Sequence, residues 1–500
     1  MIYLVSDKID CSSMDGITKL SVDDSLSMIS SWPVVQYDSE TNGLDCHVNK
    51  MTAMQFGYYD YSTGDADQIV VDVGTIDPRL YKEVLENSYL IGHNIKFDIE
   101  FLYNYSIIPL NVYDTMVCEQ VLYMGYNAKR VGFSLKHLYN RYTGEELDKS
   151  FQKRIATQGL TERGIRYSAQ DVVHLQEIRQ KQIMIAESRK CTKAFVLENR
   201  FVPAIAYLEW CGIHLDEDKW RAKMANDQMR FDTVLAKLNA YVMTNTKLNT
   251  KFVTTITQLD LFSQSDNTGP VCAVDWSSSK QVIPVCQALG FNTKTIDKNT
   301  KKPRDSVEWD VLSTQKGIDD VFLKMYSGYK EAEKKISTYG QNFLNLVNPN
   351  TNRLHTEFKQ IGTVTGRMSS GGGDEGDSDA KGKMNKDLAR LKHMEFEDVR
   401  YVNLQNLPAR GEEGKITRAC FTSMANNIFL SCDFSAEESR VQGDVWDEQS
   451  LLDSFRNGID THNLYAKLCF PDELKDIDVR DVKDKRPDLR QKAKSAEFEI

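Results

Sequence analysis

The strongest constraint in the 500-residue chain is a pair of carboxylates set two apart on an apolar strand. The run Val34-Val35-Gln36-Tyr37-Asp38-Ser39-Glu40 has strand character and stops at Thr41-Asn42-Gly43, a turn signal. Side chains alternate along a strand, so Asp38 and Glu40 face the same way and repel each other unless a cation lies between them. A divalent cation with hard oxygen ligands is the usual partner for such a pair. Two further strands, Thr52 to Tyr59 and Gln68 to Val73, are expected to continue a meander. A helix from about Pro78 then leads to Leu90-Ile91-Gly92-His93-Asn94, a short apolar strand that delivers Asn94 and, on a turn or early helix, Asp98.

A late helix is predicted to begin at Tyr167, because Val172, Leu175, Ile178 and Ile183 recur at helical spacing. Tyr167 and Asp171 are four apart and share one face of it. Two readings compete. Tyr167 is a core aromatic and Asp171 a first-turn acid favoured by the helix dipole, or both belong with Asp38 and Glu40. Phe133, Leu135 and Leu138 in GFSLKHL read as helix core.

Composition narrows the class. With 41% apolar and 27% charged residues the chain can build two to four domains with proper cores. It holds no apolar run of membrane-spanning length and no signal-peptide pattern at its N-terminus, so it is read as soluble and intracellular. Ten cysteines without a C-x-x-C pair argue against a zinc ribbon or a disulfide scaffold and suit small core residues. The net charge of −10 does not exclude a nucleic-acid partner where carboxylates are gathered to hold cations; local basic clusters decide.

Beyond residue 190, long helices dominate. Gly212 interrupts one, Asp216 caps the next, residues 245–270 are ambiguous, and Asp275 to Leu289 and Asp319 to Val347 read as helices. Lys330, Lys334 and Lys335 form a basic stripe near Tyr339, suited to a solvated face or to a DNA backbone. Arg367 follows Thr363-Val364-Thr365-Gly366, where small residues let a nucleic-acid backbone approach and the guanidinium can pair with phosphate or base edges. The plain alternative is a β-hairpin with a surface arginine. Ile428, Phe429 and Leu430 read as a buried strand carrying Asp433 to its exposed end, and Ser435 with Glu438 has capping-box spacing for the helix after it. Arg490, Lys494 and Phe498, at i, i+4 and i+8, share one helix face.

D-x-E on a strand, N-x-x-F-D some fifty residues later and Y-x-x-x-D on a late helix together resemble the motifs of the DnaQ-like 3′→5′ exonucleases of the ribonuclease H fold. The resemblance implies that Asp38, Glu40, Asp98 and Asp171 hold two Mg²⁺ or Mn²⁺ ions and that Tyr167 orients the attacking water. Further on, the tracts SSSKQ, ALGF, KKISTY and LVNPNTNRLHTEF resemble the thumb of family A DNA polymerases. TxTGR, NLQNLP, the Asp433 stretch, Asp460-Thr461-His462 and RQKAKSAEF resemble that family's polymerase signatures. The family is that of bacterial DNA polymerase I and its phage relatives, and the likeness covers nearly the whole chain. It implies that Asp433 and the Phe434 carbonyl bind a second pair of Mg²⁺ ions and that Glu438 excludes ribonucleotides. It also implies that His462, Arg490, Lys494 and Phe498 meet the incoming dNTP, and that Gln405 and Asn406 lie against template and primer.

Three departures stand out. Residues 371–399 are a Gly- and acid-rich insertion, and Glu497 and Glu499 replace residues that are usually an uncharged one and a glycine. The sequence stops at Ile500, within the nucleotide-binding helix and before the second palm carboxylate. The expectation is therefore an α/β, ribonuclease H-like exonuclease domain (1–190), a mostly helical connector and thumb (191–350) and an incomplete α+β palm with the start of the fingers (351–500). Such a protein serves template-directed DNA synthesis with proofreading, in the cytoplasm of a bacterial host if of phage origin. Its partners are primer-template DNA, single-stranded 3′ ends and dNTPs; either the sequence is a fragment or a separate chain supplies the rest of palm and fingers, and this polypeptide is not expected to polymerise alone. The alternatives are a free-standing 3′→5′ exonuclease with a DNA-gripping tail and a non-catalytic DNA-binding replication subunit.

Overall fold

The computed structural model describes residues 1–126, 131–147, 159–258, 267–297, 301–315, 317–371, 403–408 and 411–497. The insertion at 371–399, but for its first residue, lies outside them, as do Phe498 and Glu499. Two compact units divide the chain, Met1–Met424 and Ala425–Ile500.

The first unit starts with a seven-stranded sheet. Its strands are β1 (Ile2–Val5), β2 (Ile17–Lys19), β3 (Val35–Thr41), β4 (Met51–Tyr59), β5 (Ala66–Asp72), β6 (Leu90–Gly92) and β7 (Val112–Asp114), in the order β2-β1-β5-β4-β3-β6-β7. The meander β3-β4-β5 is antiparallel and β6 and β7 join parallel to β3, so β3 sits where the two halves meet. The first two strands and α1 (Val22–Ser31) carry no strong periodicity, and β1 and β2 are short; pairing of β1 with β5, and of β2 with β1, makes them sheet.

Both faces of the sheet are covered, which is why its central strands read as nearly continuous apolar runs. Val5, Tyr37, Phe56, Ile69 and Val71 join Ile99 and Leu102 of α3 (Ile95–Tyr103) in the largest core cluster. Leu4, Ala53 and Val70, one residue out of phase, meet Ile165 and Ala169 of the helix Glu162–Asp171 on the other face. The helix predicted from Tyr167 is in fact two. Glu162–Asp171 ends where Val172 leaves helical geometry, and Leu175–Ser188 begins afresh, its apolar positions packing on Ile91 and Tyr113. The helix expected from Pro78 opens as a 3-10 turn (Pro78–Tyr81) before α2 (Lys82–Asn87). Leu135 and Leu138 are core residues as expected, whereas Phe133 precedes the helix Leu135–Thr143.

The helix Thr192–Cys211 sends Val202 and Ala206 into the same core as the sheet and stops at Gly212. At φ +58 that glycine lies where a Cβ would meet the Leu354 carbonyl at 2.6 Å, so the close approach there requires glycine. Helices Glu217–Thr244, Ser279–Leu289 and Asp320–Tyr339 then build a separate core from Leu238, Val242, Val282, Phe322 and Tyr326. Asp275 stays outside its helix because its carboxylate bonds to Ser277 instead. Gly340 breaks the helix predicted to run to Val347, and Val347 pairs in a short strand with Leu354. The ambiguous stretch holds an antiparallel pair, Val253–Gln258 with Asn267–Cys272. Five of the ten cysteines are buried.

In the second unit, helices Glu437–Val445, Gln449–Arg456, Thr461–Cys469 and Pro487–Glu497 surround a small core of Ala466, Leu474, Val482, Leu489 and Ala493. The expected strand at 428–430 is absent. Ile428 is 88% and Leu430 78% exposed, because no strand among the described residues lies alongside to satisfy its backbone or cover its side chains. The capping box also fails. Ala436, in the left-handed region at φ 51, is the residue before the helix, and the Ser435 carbonyl accepts a bond from Arg440 Nε at 2.8 Å.

Phe56 is fully buried between Tyr37 and Tyr81. Phe56→Ala is expected to cost about 3–5 kcal/mol, the range for deleting a buried ring. The check is the urea midpoint of the sheet's unfolding; an unchanged midpoint contradicts this packing.

Candidate active site

One group of carboxylates suited to a metal ion occurs among the described residues: Asp38, Glu40 and Asp171, each offering an oxygen within 4.8 Å of the others. Strand alternation sets the first two. Gln36, Asp38 and Glu40 share a face, and on that face Gln36 Oε1 accepts the amide of Gln176 at 2.8 Å, fixing the start of the helix Leu175–Ser188. The register of β3 against β4 shifts between Glu40 and Thr41, a bulge of the kind that re-aims side chains beside a site.

Asp171 arrives from the end of its helix. Two contacts seat that end: Tyr139 donates its hydroxyl to the Gln170 carbonyl at 2.6 Å, and Gly57 of β4 lies where a Cβ would be 2.6 Å from the Val172 carbonyl oxygen. Any larger residue at 57 must push the helix end away from the sheet. The reading of Asp171 as a first-turn acid is thereby overturned. It is the last helical residue, only 2% exposed, at the end whose dipole disfavours a negative charge. A buried carboxylate in that position, beside two others, is an expensive arrangement that a bound cation relieves. Tyr167, one turn earlier, is buried on the same helix.

Asp98 reaches β3 from the opposite side. It stands on α3, whose preceding residue Asn94 is left-handed at φ 56, and Ser39, pointing away from Asp38 and Glu40, donates to its Oδ1 at 2.6 Å. It lies outside the close trio. Burial, and next the Asp38 charge, push the Asp98 carboxyl well above its ordinary range, with the Ser39 bonds opposing. Ser39 escapes motif reading because the D-x-E pattern leaves its middle position free; strand alternation is the signal that turns it toward α3.

Lys96, two residues before Asp98, carries no motif signal in the sequence. Its Nζ donates to Glu209 Oε1 and to the Phe358 carbonyl, both at 2.7 Å, beside a cavity of about 300 Å³ that Leu44, His47, Asn94 and His355 help to line. Burial opposes the ammonium's charge, but the carboxylates of Glu209 and Glu100 together outweigh it and hold the Lys96 pKa above its usual value.

The residues expected to touch DNA lie elsewhere in the first unit. Arg367 is exposed after Gly366, on the connection between strands Phe358–Lys359 and Ser369–Ser370, and its amide donates to Thr363 Oγ1 at 2.9 Å. Gln405 Oε1 accepts the Ser370 amide at 2.9 Å, so its side chain serves as a strut, and the Asn406 carbonyl accepts from Tyr339 at 2.7 Å. In the second unit Asp433, Phe434 and Glu438 are exposed, and no strand among the described residues lies beneath Asp433. Arg490 faces inward, bonded to Asp460 Oδ2 at 2.7 Å and Asn463 Oδ1 at 3.0 Å, while Asp460 caps the helix of half-buried His462. Burial raises the Asp460 pKa, but the Arg490 bond and charge outweigh it and leave it below the ordinary value. Lys494 is half-buried one turn beyond Arg490.

Family models match both parts of the chain, the 3′-5′ exonuclease at residues 18–182 and DNA polymerase family A at 235–372 and 398–500. DNA polymerase I of Borreliella burgdorferi is 24% identical over 493 residues, covering 97% of this chain and 46% of that protein. DNA polymerase I of Aquifex aeolicus is 23% identical, covering 89% of this chain and 65% of that protein. The polymerase domain of Pol1 from M. smegmatis, solved with DNA primer-template and dNTP, superposes with a TM-score of 0.65 at 16% identity, over 99% of this chain and 70% of that one. The front of the chain is thus a ribonuclease H-like 3′-5′ exonuclease domain joined to a largely helical polymerase region. The chain belongs to family A of the DNA polymerases. It spans about half to two thirds of the length of these curated relatives. No helix among the described residues is long and apolar enough to cross a membrane.

Because folding raises the Asp98 pKa, the folded state takes up the proton more readily. Its contribution to stability is complete below the unfolded value of about 3.9 and is lost as pH rises through the folded value. In chelator, Asp98→Asn is therefore expected to melt higher than the parent at pH 8, with the difference shrinking as pH falls toward 4. Calorimetry at several pH values reads this; a constant difference contradicts it.

Proposed function

We propose that this chain is the exonuclease, thumb and partial-palm portion of a replicative DNA polymerase, and that its front site removes nucleotides from 3′ ends. The supporting observation is the meeting of Asp38, Glu40 and Asp171 from a strand and a separate helix. With Asp98 close behind, these residues would hold two Mg²⁺ or Mn²⁺ ions. Bound ions supply a hydroxide nucleophile at neutral pH and stabilise the leaving 3′ oxygen. Tyr167 orients the attacking water through its hydroxyl, and the apolar sheet and helix beneath keep bulk water from the back of the site.

In the second unit, Asp433 and the Phe434 carbonyl would serve the synthetic metal pair. Glu438, His462, Arg490, Lys494 and Phe498 would serve the dNTP, and Arg367, Gln405 and Asn406 the primer-template. We assign residues 1–190 to the exonuclease, 191–350 to connector and thumb, and 351–500 to the palm and the start of the fingers, acting in the cytoplasm, that of a bacterial host if the chain is of phage origin. The exposed Ile428-Phe429-Leu430 run calls for strand partners from outside the described residues, in the same or a separate chain.

A second reading, a free-standing 3′→5′ exonuclease, draws on one observation. Among the described residues the exonuclease carboxylates are gathered, whereas Asp433 is exposed off any strand and Arg490 is spent on Asp460.

Asp38→Ala is expected to abolish Mg²⁺-dependent digestion of single-stranded and mismatched 3′ ends, followed on end-labelled oligonucleotides. Parent-like digestion by the variant removes the exonuclease assignment. In a polymerase containing this chain, Lys494→Ala should weaken dNTP binding by about 1–3 kcal/mol, the scale of a charge-assisted hydrogen bond; unchanged affinity in a titration rejects that role.

A further inference from the structure

We propose that Asp114 is a positioning residue for the exonuclease carboxylates: its Oδ1 caps two helices at once and so fixes where α3 presents Asp98. The inference rests on the exonuclease reading above. β6 and β7 are parallel neighbours with Gly92 opposite Asp114, so α3 and α4 (Thr115–Leu122) leave the same end of the sheet side by side. Asp114 caps its own helix in the usual way, accepting the amides of Met116 at 2.8 Å and Val117 at 3.2 Å. The same oxygen also accepts the amide of Asn94 at 3.0 Å, twenty residues back.

That third bond holds the start of the other helix. Asn94 precedes α3 in a left-handed conformation that a non-glycine residue adopts at a cost, and its own side chain makes no capping bond. Thr115 grips the same turn, donating from Oγ1 to the Gly92 carbonyl and meeting His93 Nδ1, both at 3.0 Å. Asp114 is itself anchored, because its amide donates to Asn199 Oδ1 at 2.6 Å and Asn199 in turn bonds the Phe195 carbonyl. From Asn94 to Asp98 is little more than one helical turn, so a displaced cap moves Asp98 by nearly the same distance. The carboxylate is fully buried, and the three amides that its Oδ1 accepts offset part of the cost of that burial. An acceptor serving α4 alone has no need to reach Asn94.

Two substitutions separate the two capping jobs. Asp114→Ser keeps a short acceptor for α4 but cannot reach Asn94, whereas Asp114→Asn retains an oxygen at the required length. On the full 500-residue chain, calorimetric titration with Mn²⁺ alone is expected to show a 10- to 100-fold loss of affinity for Asp114→Ser. The kcat for 3′-end digestion should fall in parallel with little change in KM, and Asp114→Asn should recover most of both. Equal losses in the two variants, or parent-like Mn²⁺ affinity in a folded Asp114→Ser, overturns the proposal. If Asp114→Ser does not fold, Thr115→Val decides, with weakened Mn²⁺ binding expected and parent-like binding overturning the proposal. Asp38→Ala is the control: were it also silent in both assays, the exonuclease reading would fall, whereas silence confined to residues 114 and 115 removes this inference alone.

Discussion

Repulsion among carboxylates is the constraint that the first unit is built to withstand. Asp38, Glu40 and Asp171 bring three acidic oxygens within 4.8 Å, with Asp98 buried just beyond them. Left to itself such a group would spread or take up protons. It stays together because each member is fixed from behind by something rigid. β3 holds the pair at 38 and 40 against β4, the contact of Gly57 with Val172 seats the end of the Asp171 helix, and Ser39 ties Asp98 to the strand. The cost of assembling the charges falls on packing elsewhere, in the cores on the sheet's two faces.

The site straddles the sheet. Asp38 and Glu40 point toward the helices of residues 162–188, and Asp98 comes from α3 on the far face, so the group depends on both layers keeping register. Buried polar contacts serve that end. Gln36 bonds across one face, Lys96 and Glu209 join α3 to the helix Thr192–Cys211 and to the strand at Phe358, and Asp114 links the starts of α3 and α4. An ion pair as buried as Lys96–Glu209 gives little net stability, but losing one partner strands a charge, which favours a single arrangement of the helices.

The second unit has a different balance. Its small core of alanine, leucine and valine holds the last helices together, and Arg490 spends its charge on Asp460. The segment with Asp433 keeps its apolar side chains in water, Ile428 at 88% exposure among them. An apolar run becomes a strand only when another strand supplies hydrogen-bond partners and cover. The apolar run 428–430, read as a buried strand, therefore does not form one, because no partner among the described residues pairs with it or covers it.

Much was legible in the residues themselves. The D-x-E strand, the meander and the short β6 are local in origin, since alternation and turn residues are properties of a few neighbours, and the four-residue spacing of Tyr167 and Asp171 put them on one helix face. Other features needed the folded chain. Whether Asp171 begins or ends its helix turns on Val172 meeting Gly57, over a hundred residues away. That Asp98 approaches from the face opposite Asp38 follows from sheet order, and the partners of Asp114 and Lys96 are set by which helices become neighbours. The sequence by itself determined which side chains carry the chemistry and which local elements bear them, because propensity and spacing act over a few residues. Only the tertiary structure decided which carboxylates meet and which stay exposed, because that depends on packing between segments far apart in the chain.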